Sequence, residues 1–312
     1  MPLDPQARAL LDQLKVLGGP PLNELTPADA RIAAQMLGSL SGTPEAVAKV
    51  EDRAIPGPAG PLPVRLYTPA GSGPFPVLVF FHGGGWVIGD LNTQDGACRA
   101  LTNAVGCVVV SVDYRLAPEH PFPAAPHDTY AATRWVAQNA PSINADPARI
   151  ALGGDSAGGN LTAVTAQMAR DGGGPGLVFQ LLIYPVTDGA CATASYRENA
   201  DEYLLTKDMM EWFWKHYVPN DADRRNPLAS PLHAHSLRGL PPALVLTAEF
   251  DPLRDEGEAY AERLKEAGVP VTLTRYNGMI HGFFGMGSVI DQARIAIAEA
   301  ASALRLAFAG HH

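Results

Sequence analysis

The residues of this chain that could do chemistry sit in a few short motifs. Ser156 stands in Gly154-Asp155-Ser156-Ala157-Gly158, a G-x-S-x-G pentapeptide. The short apolar run Ile150–Gly153 precedes it, and the Ala-rich, helix-compatible stretch Asn160–Ala169 follows. Glycines on both flanks suit a strand-to-helix turn so sharp that the serine hydroxyl is pushed clear of the backbone. The second motif is His82-Gly83-Gly84-Gly85-Trp86, directly after the strand-like run Val77–Phe81. Consecutive glycines can turn successive N–H groups toward one point. Acyl transfer needs such a point, because the carbonyl oxygen becomes an oxyanion, and each prepositioned donor contributes roughly 3 kcal/mol in the transition state. The expected donors are the N–H groups of Gly84, Gly85 and Ala157. A phosphate cradle would want G-x-x-x-x-G-K-[ST] or G-x-G-x-x-G opening a helix, and neither pattern does so here.

A serine hydroxyl is a weak nucleophile at neutral pH and needs an adjacent base, for which histidine has the right pKa. A buried carboxylate then orients the imidazole and stabilises the imidazolium. On a fold of this kind the chain order is Ser, acid, His. The histidines after Ser156 are His216, His233, His235, His281, His311 and His312. Only His281 follows a β-pattern, Val271–Tyr276, across a Gly-containing turn. His233 and His235 lie in a Pro-flanked loop and are expected to be solvated rather than metal ligands. His311 and His312 end the sequence and read equally as native residues or the start of a tag. For the acid, Ala243–Ala248 reads as a buried strand with Glu249 and Asp251 directly after it. Pro252 rigidifies the turn at Asp251 and favours it; Glu249 is the runner-up and Asp188 a third candidate. Asp255 opens a helical stretch, where capping is its expected role.

Taken together, His82–Trp86, Asp113-Tyr114-Arg115-Leu116-Ala117-Pro118-Glu119, Gly154–Asn160, Asp251-Pro252-Leu253-Arg254-Asp255 and His281-Gly282-Phe283 resemble the motifs of the hormone-sensitive-lipase-like carboxylesterases, in the same order. The resemblance spans roughly residues 45–310. It implies an α/β-hydrolase fold, a capping region, Asp251 as the acid, and no metal or organic cofactor. His82 is expected to anchor the glycine loop by hydrogen bonds. Tyr114, Arg115 and Glu119 are expected to form a structural network beside the nucleophile. Asp155 is expected to order the elbow, since neighbours on a sharp turn point apart.

These groups need a scaffold, and the chain alternates accordingly. Strands are expected near 77–81, 107–113, 149–153, 178–184, 243–248 and 270–276, and helices near 93–104, 124–138, 157–169, 255–267 and 288–308. Such alternation means a mostly parallel, doubly wound sheet. Val50–Ile55 and Pro63–Thr68, around Pro56–Gly60, read as an antiparallel pair. Residues 1–45 carry helical apolar spacing at Leu10, Leu11 and Leu14 and at Ile32, Met36 and Leu40. Between Pro185 and Pro241 no strand is expected, only the bulky helical stretch Lys207–Tyr217. The expected organisation is therefore a catalytic unit of 46–187 and 232–312, with 1–45 and the insertion 188–231 as a cap. Leu204, Leu205, Phe213 and Trp86 are candidate substrate contacts, because an acyl chain needs an apolar wall.

Composition sets outer bounds. The sequence has 312 residues, 46% of them hydrophobic and 18% charged, enough for a large core and too few charges for a disordered polyelectrolyte. The net charge of −9 disfavours nucleic acid and anionic membranes. No apolar run approaches a membrane span. The N-terminus lacks the pattern of a signal peptide, and three cysteines at no metal-like spacing suit a reducing cytoplasm. The expected partner is a small-molecule ester, with no nucleic acid and no stable membrane insertion; a homodimer is compatible with this. The expected activity is hydrolysis of short- to medium-chain carboxylic esters through an acyl-enzyme. An amidase, formamidase or peptidase on the same triad is the nearer alternative, and a ligand-binding receptor that has lost catalysis the more distant one.

Overall fold

The run Phe75–Phe81 is apolar at every position, which suits a strand covered on both faces. It forms β3, inside an eight-stranded sheet. The structure, a computed structural model, describes residues 2–38, 40 and 42–310, without the side chains of 36–38; the Met36, His311 and His312 readings lie outside that description. The strands are β1 (Lys49–Gly57), β2 (Gly60–Thr68), β3 (Phe75–Phe81), β4 (Val108–Val112), β5 (Ala145–Asp155), β6 (Phe179–Ile183), β7 (Ala243–Phe250) and β8 (Val271–Ile280). Their order across the sheet is β1-β2-β4-β3-β5-β6-β7-β8. The β1–β2 and β2–β4 pairs are antiparallel, and all others are parallel. This is the α/β-hydrolase fold.

The helices are α1 (Pro5–Leu17), α2 (Pro27–Gly38), α3 (Asp95–Val105), α4 (Ala124–Asn139), α5 (Ala157–Asp171), α6 (Ala194–Glu198), α7 (Lys207–Tyr217), α8 (Arg254–Glu266) and α9 (Asp291–Ala309). Alternate strand residues feed two cores. Val77, Val79 and Phe81 of β3 join Ala132 and Val136 of α4, Leu161 of α5 and Leu264 of α8 on one face. Leu78 and Phe80 join Leu101 of α3 and Leu304 of α9 on the other. The period of two in a strand thus distributes one sequence run between two helical layers.

Between Pro185 and Pro241 the structure has α6, α7 and short 3₁₀ turns but no strand. Helix α7 packs against the turn Leu22–Glu24 that precedes α2. In α2 the apolar spacing misleads: Ile32 is exposed, and the buried face carries Ala30 and Ala34. Among the described residues, no helix is long and apolar enough to cross a membrane.

Candidate active site

Strand β5 delivers Ser156, and the elbow that follows is strained. Ser156 has φ 56° and ψ −117°, outside the regions a serine prefers. Its N–H donates to the Ile183 carbonyl of β6 at 2.9 Å, while its own carbonyl accepts from Asn160 and Val186. Close approach makes the flanking glycines obligatory. A Cβ on Gly158 would lie 1.9 Å from the Phe81 carbonyl oxygen, and one on Gly154 2.4 Å from that of Gly158. The side chain of Ser156 makes no capping bond to α5 and is turned instead to His281.

His281 sits directly after β8. The expected Gly-containing turn before it is a continuation of the strand: Gly278 takes φ 79° within β8, where the pairing with β7 shifts register. Asp251 follows β7. The Nδ1–H of His281 donates to Asp251 Oδ2 at 2.7 Å, and Nε2 accepts from the Ser156 hydroxyl at 3.0 Å. The tautomer follows from the carboxylate, which can only accept. Asp251 has no solvent exposure, Ser156 7% and His281 9%, so the chain of bonds runs through a nearly dry site. The other Asp251 oxygen accepts from Leu253 N–H at 2.9 Å.

The competing carboxylates are engaged elsewhere. Glu249 accepts from the N–H of Gly278 at 2.7 Å. Asp188 accepts from Ala190 N–H and lies 2.9 Å from His233 Nε2, so His233 is paired rather than simply solvated. Asp255 does not cap its own helix: it accepts from Ser195 N–H at 2.7 Å, at the start of α6.

The glycine loop is tied down through its carbonyls. His82 Nδ1 donates to Gly83 O at 2.7 Å, Tyr114 OH to His82 O at 2.8 Å, and Val87 and Ile88 N–H to Gly84 O. Ala117 N–H donates to Trp86 O, and Arg31 of α2 reaches Val87 O. Gly84 and Gly85 take φ 112° and 55°, and their N–H groups donate to no described residue. The Ala157 N–H, in the first turn of α5, has no intrahelical acceptor. Burial holds the His82 imidazole down to about 4, so it stays neutral, stacked on Tyr114. The expected Tyr114–Arg115–Glu119 network is three separate anchors. Only Tyr114 touches the glycine loop, whereas Arg115 pairs with buried Asp128 and Glu119 with Arg31.

Asp155 points away from Ser156, and its carboxylate accepts from Gly83 N–H at 2.9 Å and from Gln94 Nε2 at 3.1 Å. Burial pushes this carboxyl up to about 6, against the opposing pull of Gly83 N–H and His281. It therefore holds the glycine loop and not only the elbow.

The candidate apolar contacts separate. The Phe213 ring lies over Gly85, where an added Cβ would fall 2.2 Å from it, and Leu204 lies against Gly282 beside His281. Leu205 is buried in the first core. Trp86 is corrected: it has no exposure, and its ring stacks on Tyr217 at 4.1 Å and tilts against Trp214, so it joins the glycine loop to α7 and is not a free pocket wall.

Several supporting groups escaped the sequence reading. Ser195 Oγ donates to Pro252 O at 2.6 Å and Asn199 Nδ2 to Asp251 O at 3.2 Å, so α6 and its C-cap grip the loop of Asp251. Glu256 is fully buried, and its Oε1 accepts from the N–H groups of Thr187 and Asp188. Burial drives that carboxyl well above the usual carboxylate range. Asn160 Nδ2 bridges Val186 O and Ala229 O. Asn160 closes the Gly154–Asn160 motif and Glu256 directly follows Asp251–Asp255, which is the signal the sequence offers; Ser195 and Asn199 carry none.

A family model described as alpha/beta hydrolase fold matches residues 78–285. The chain is 44% identical over 314 residues to the carboxylesterase NlhH of Mycobacterium tuberculosis, covering 98% of this chain and 96% of that protein. It is 48% identical over 268 residues to the carboxylic ester hydrolase LipN of the same organism, covering 84% of this chain and 71% of that one. Among solved structures, an ester hydrolase from the metagenome of Lake Arreo superposes with TM-score 0.95 at 47% identity, covering 98% of this chain and 99% of that one. By this family match and these identities, the chain belongs to the hormone-sensitive-lipase-like carboxylesterases.

Proposed function

We propose that this protein is a serine carboxylesterase in which Ser156 is the nucleophile, His281 the general base and acid, and Asp251 the orienting carboxylate. The observation that carries the reading is the unbroken hydrogen-bonded chain from Ser156 Oγ through His281 to Asp251. Ser156 Oγ attacks the ester carbonyl as Nε2 takes its proton, and Asp251 stabilises the imidazolium without itself becoming protonated. The carbonyl oxygen, now an oxyanion, is received by the N–H groups of Gly84, Gly85 and Ala157. His281 returns the proton to the departing alcohol. Water, deprotonated by the same imidazole, then attacks the acyl-enzyme and releases the acid and Ser156.

The substrate class is short- to medium-chain esters. Phe213 over Gly85 and Leu204 against Gly282 supply the apolar bulk that supports this, and Leu205 is retained as a contact of the same wall. We read 46–187 and 232–312 as the catalytic unit, and 1–45 with 188–231 as its cap; the packing of α7 on Leu22–Glu24 supports this. Cys98, Cys107 and Cys191 are free and buried, which supports a cytoplasmic location. A homodimer is compatible with the reading, and light scattering measures it directly.

The test is Ser156→Ala, which should cut ester turnover by several orders of magnitude in a folded protein. A phosphonate inhibitor should add mass to one peptide, the one containing Ser156. Labelling at another serine would refute the assignment. A matched ester and amide pair should show turnover of the ester alone.

A further inference from the structure

We propose that Asp155 is a positioning residue for the oxyanion loop: its carboxylate holds Gly83 N–H and thereby sets where the N–H groups of Gly84 and Gly85 point. The inference rests on the triad reading above. Asp155 and Ser156 are consecutive, and the strained elbow sends their side chains to opposite sides. One dipeptide therefore fixes both the attacking oxygen and the loop that receives the oxyanion.

Among the described residues, the N–H of Gly83 is the one amide of the run Gly83–Gly85 held by an acceptor, and that acceptor is Asp155 Oδ1. The fit is tight, since a Cβ on Gly83 would fall 2.4 Å from Asp155 Oδ2. Gln94, immediately before α3, donates to Oδ2 and fixes the rotation of the carboxylate. Both oxygens are thus spent on the loop and its buttress. Asp155 makes no hydrogen bond to Ser156 or His281, which excludes it as the proton acceptor in the reaction. The ionisable groups that feel its charge are His281, Tyr114, Tyr184 and Cys98. A misplacement of about 1 Å in such a constellation can cost about 100-fold in rate.

The experiment compares Asp155→Ala, Asp155→Asn and Gln94→Leu, using p-nitrophenyl butyrate for kcat and KM and a p-nitrophenyl alkylphosphonate for the rate of adduct formation. In Asp155→Ala, kcat should fall about 10- to 100-fold and phosphonylation should slow in parallel, with KM within about 3-fold. Asp155→Asn retains an oxygen for Gly83 N–H, and the Gln94 amide can turn to accept from the new NH₂; it should keep kcat within about 5-fold. Wild-type kcat in Asp155→Ala would overturn the proposal. Equal losses in the Ala and Asn variants would also overturn it, by placing the effect in the charge beside His281. Should Asp155→Ala fail to fold, Gln94→Leu decides: kcat lower by about 3- to 10-fold at constant KM supports the proposal, and unchanged kcat refutes it. Activity surviving in Ser156→Ala would refute the triad instead, a result distinct from any of these.

Discussion

Asp251→Asn isolates the role proposed for Asp251, and its two hydrogen bonds dictate how the variant should fail. Asp251 uses one oxygen for Leu253 N–H at 2.9 Å and the other for His281 Nδ1–H at 2.7 Å. An asparagine has only one acceptor oxygen. The Leu253 N–H is fixed by the turn into α8, so the amide oxygen stays with it and the NH₂ faces His281. The imidazole then relaxes to the tautomer with its proton on Nε2, which leaves no lone pair toward Ser156. A wrong tautomer in a triad costs about 10⁴ in kcat, or about 5 kcal/mol of transition-state stabilisation. KM should change little, because nothing that binds the ester has been touched. The assay is steady-state hydrolysis of p-nitrophenyl butyrate near pH 8, with circular dichroism to verify folding. Glu249→Gln is the control: it alters the contact with Gly278 and should keep kcat within about 10-fold. The reasoning fails if Glu249→Gln is the more damaging variant while both stay folded, or if Asp251→Asn stays within about 10-fold of wild type.

Three further outcomes are expected. Phe213→Ala removes a ring that is 3% exposed, so stability should fall by about 3–5 kcal/mol in thermal unfolding; with the ring gone from over Gly85, the acyl-chain optimum should move longer, and an unshifted optimum would remove Phe213 from the substrate wall. Gly158→Ala should abolish folded, active enzyme, because its Cβ would sit 1.9 Å from Phe81 O, and a normally active variant would contradict that packing. Asp155→Asn should be more stable than wild type at neutral pH. The folded-state pKa of Asp155, pushed up to about 6, lies above its unfolded value near 3.9, so ionisation costs folding free energy as pH rises through that window. The variant's advantage should grow between about pH 4 and 6 toward about 3 kcal/mol and stay constant above, as read by denaturant unfolding at each pH; an advantage independent of pH would refute it.

Local patterns carried the parts of the fold set by local physics. The apolar runs at β3, β5 and β7 and the glycine-flanked serine are legible because a strand covered on both faces and a tight elbow each restrict residue type at consecutive positions. Chain order singles out His281 in the sequence but not its approach, since a glycine at positive φ inside a bulged strand resembles a turn in sequence. Contacts between distant segments were not legible. Arg31 on Glu119, and Ser195 on Asp255, depend on which helix end meets which loop, and sequence spacing holds no record of that. Trp86 and Ile32 were misplaced for the same reason: an aromatic beside a glycine loop faces whatever helix crosses it, and an apolar residue in a short helix can be left outside.

The grip of the insertion on α8 has a consequence for chimeras. Thr187 and Asp188, where the insertion leaves β6, bond to Glu256. Ser195 and Asn199 bond to the loop of Asp251, and Ala234, near the insertion's return, accepts from Arg263. One helix is thus the common mount for departure and return. Exchanging residues 188–231 alone between relatives would set a foreign segment on this mount while Glu256, fully buried, still needed amides at fixed positions. A transplant that carries Asp251–Glu266 with residues 188–231 keeps donor and acceptor together, so the segment that can be exchanged intact is discontinuous and extends into α8.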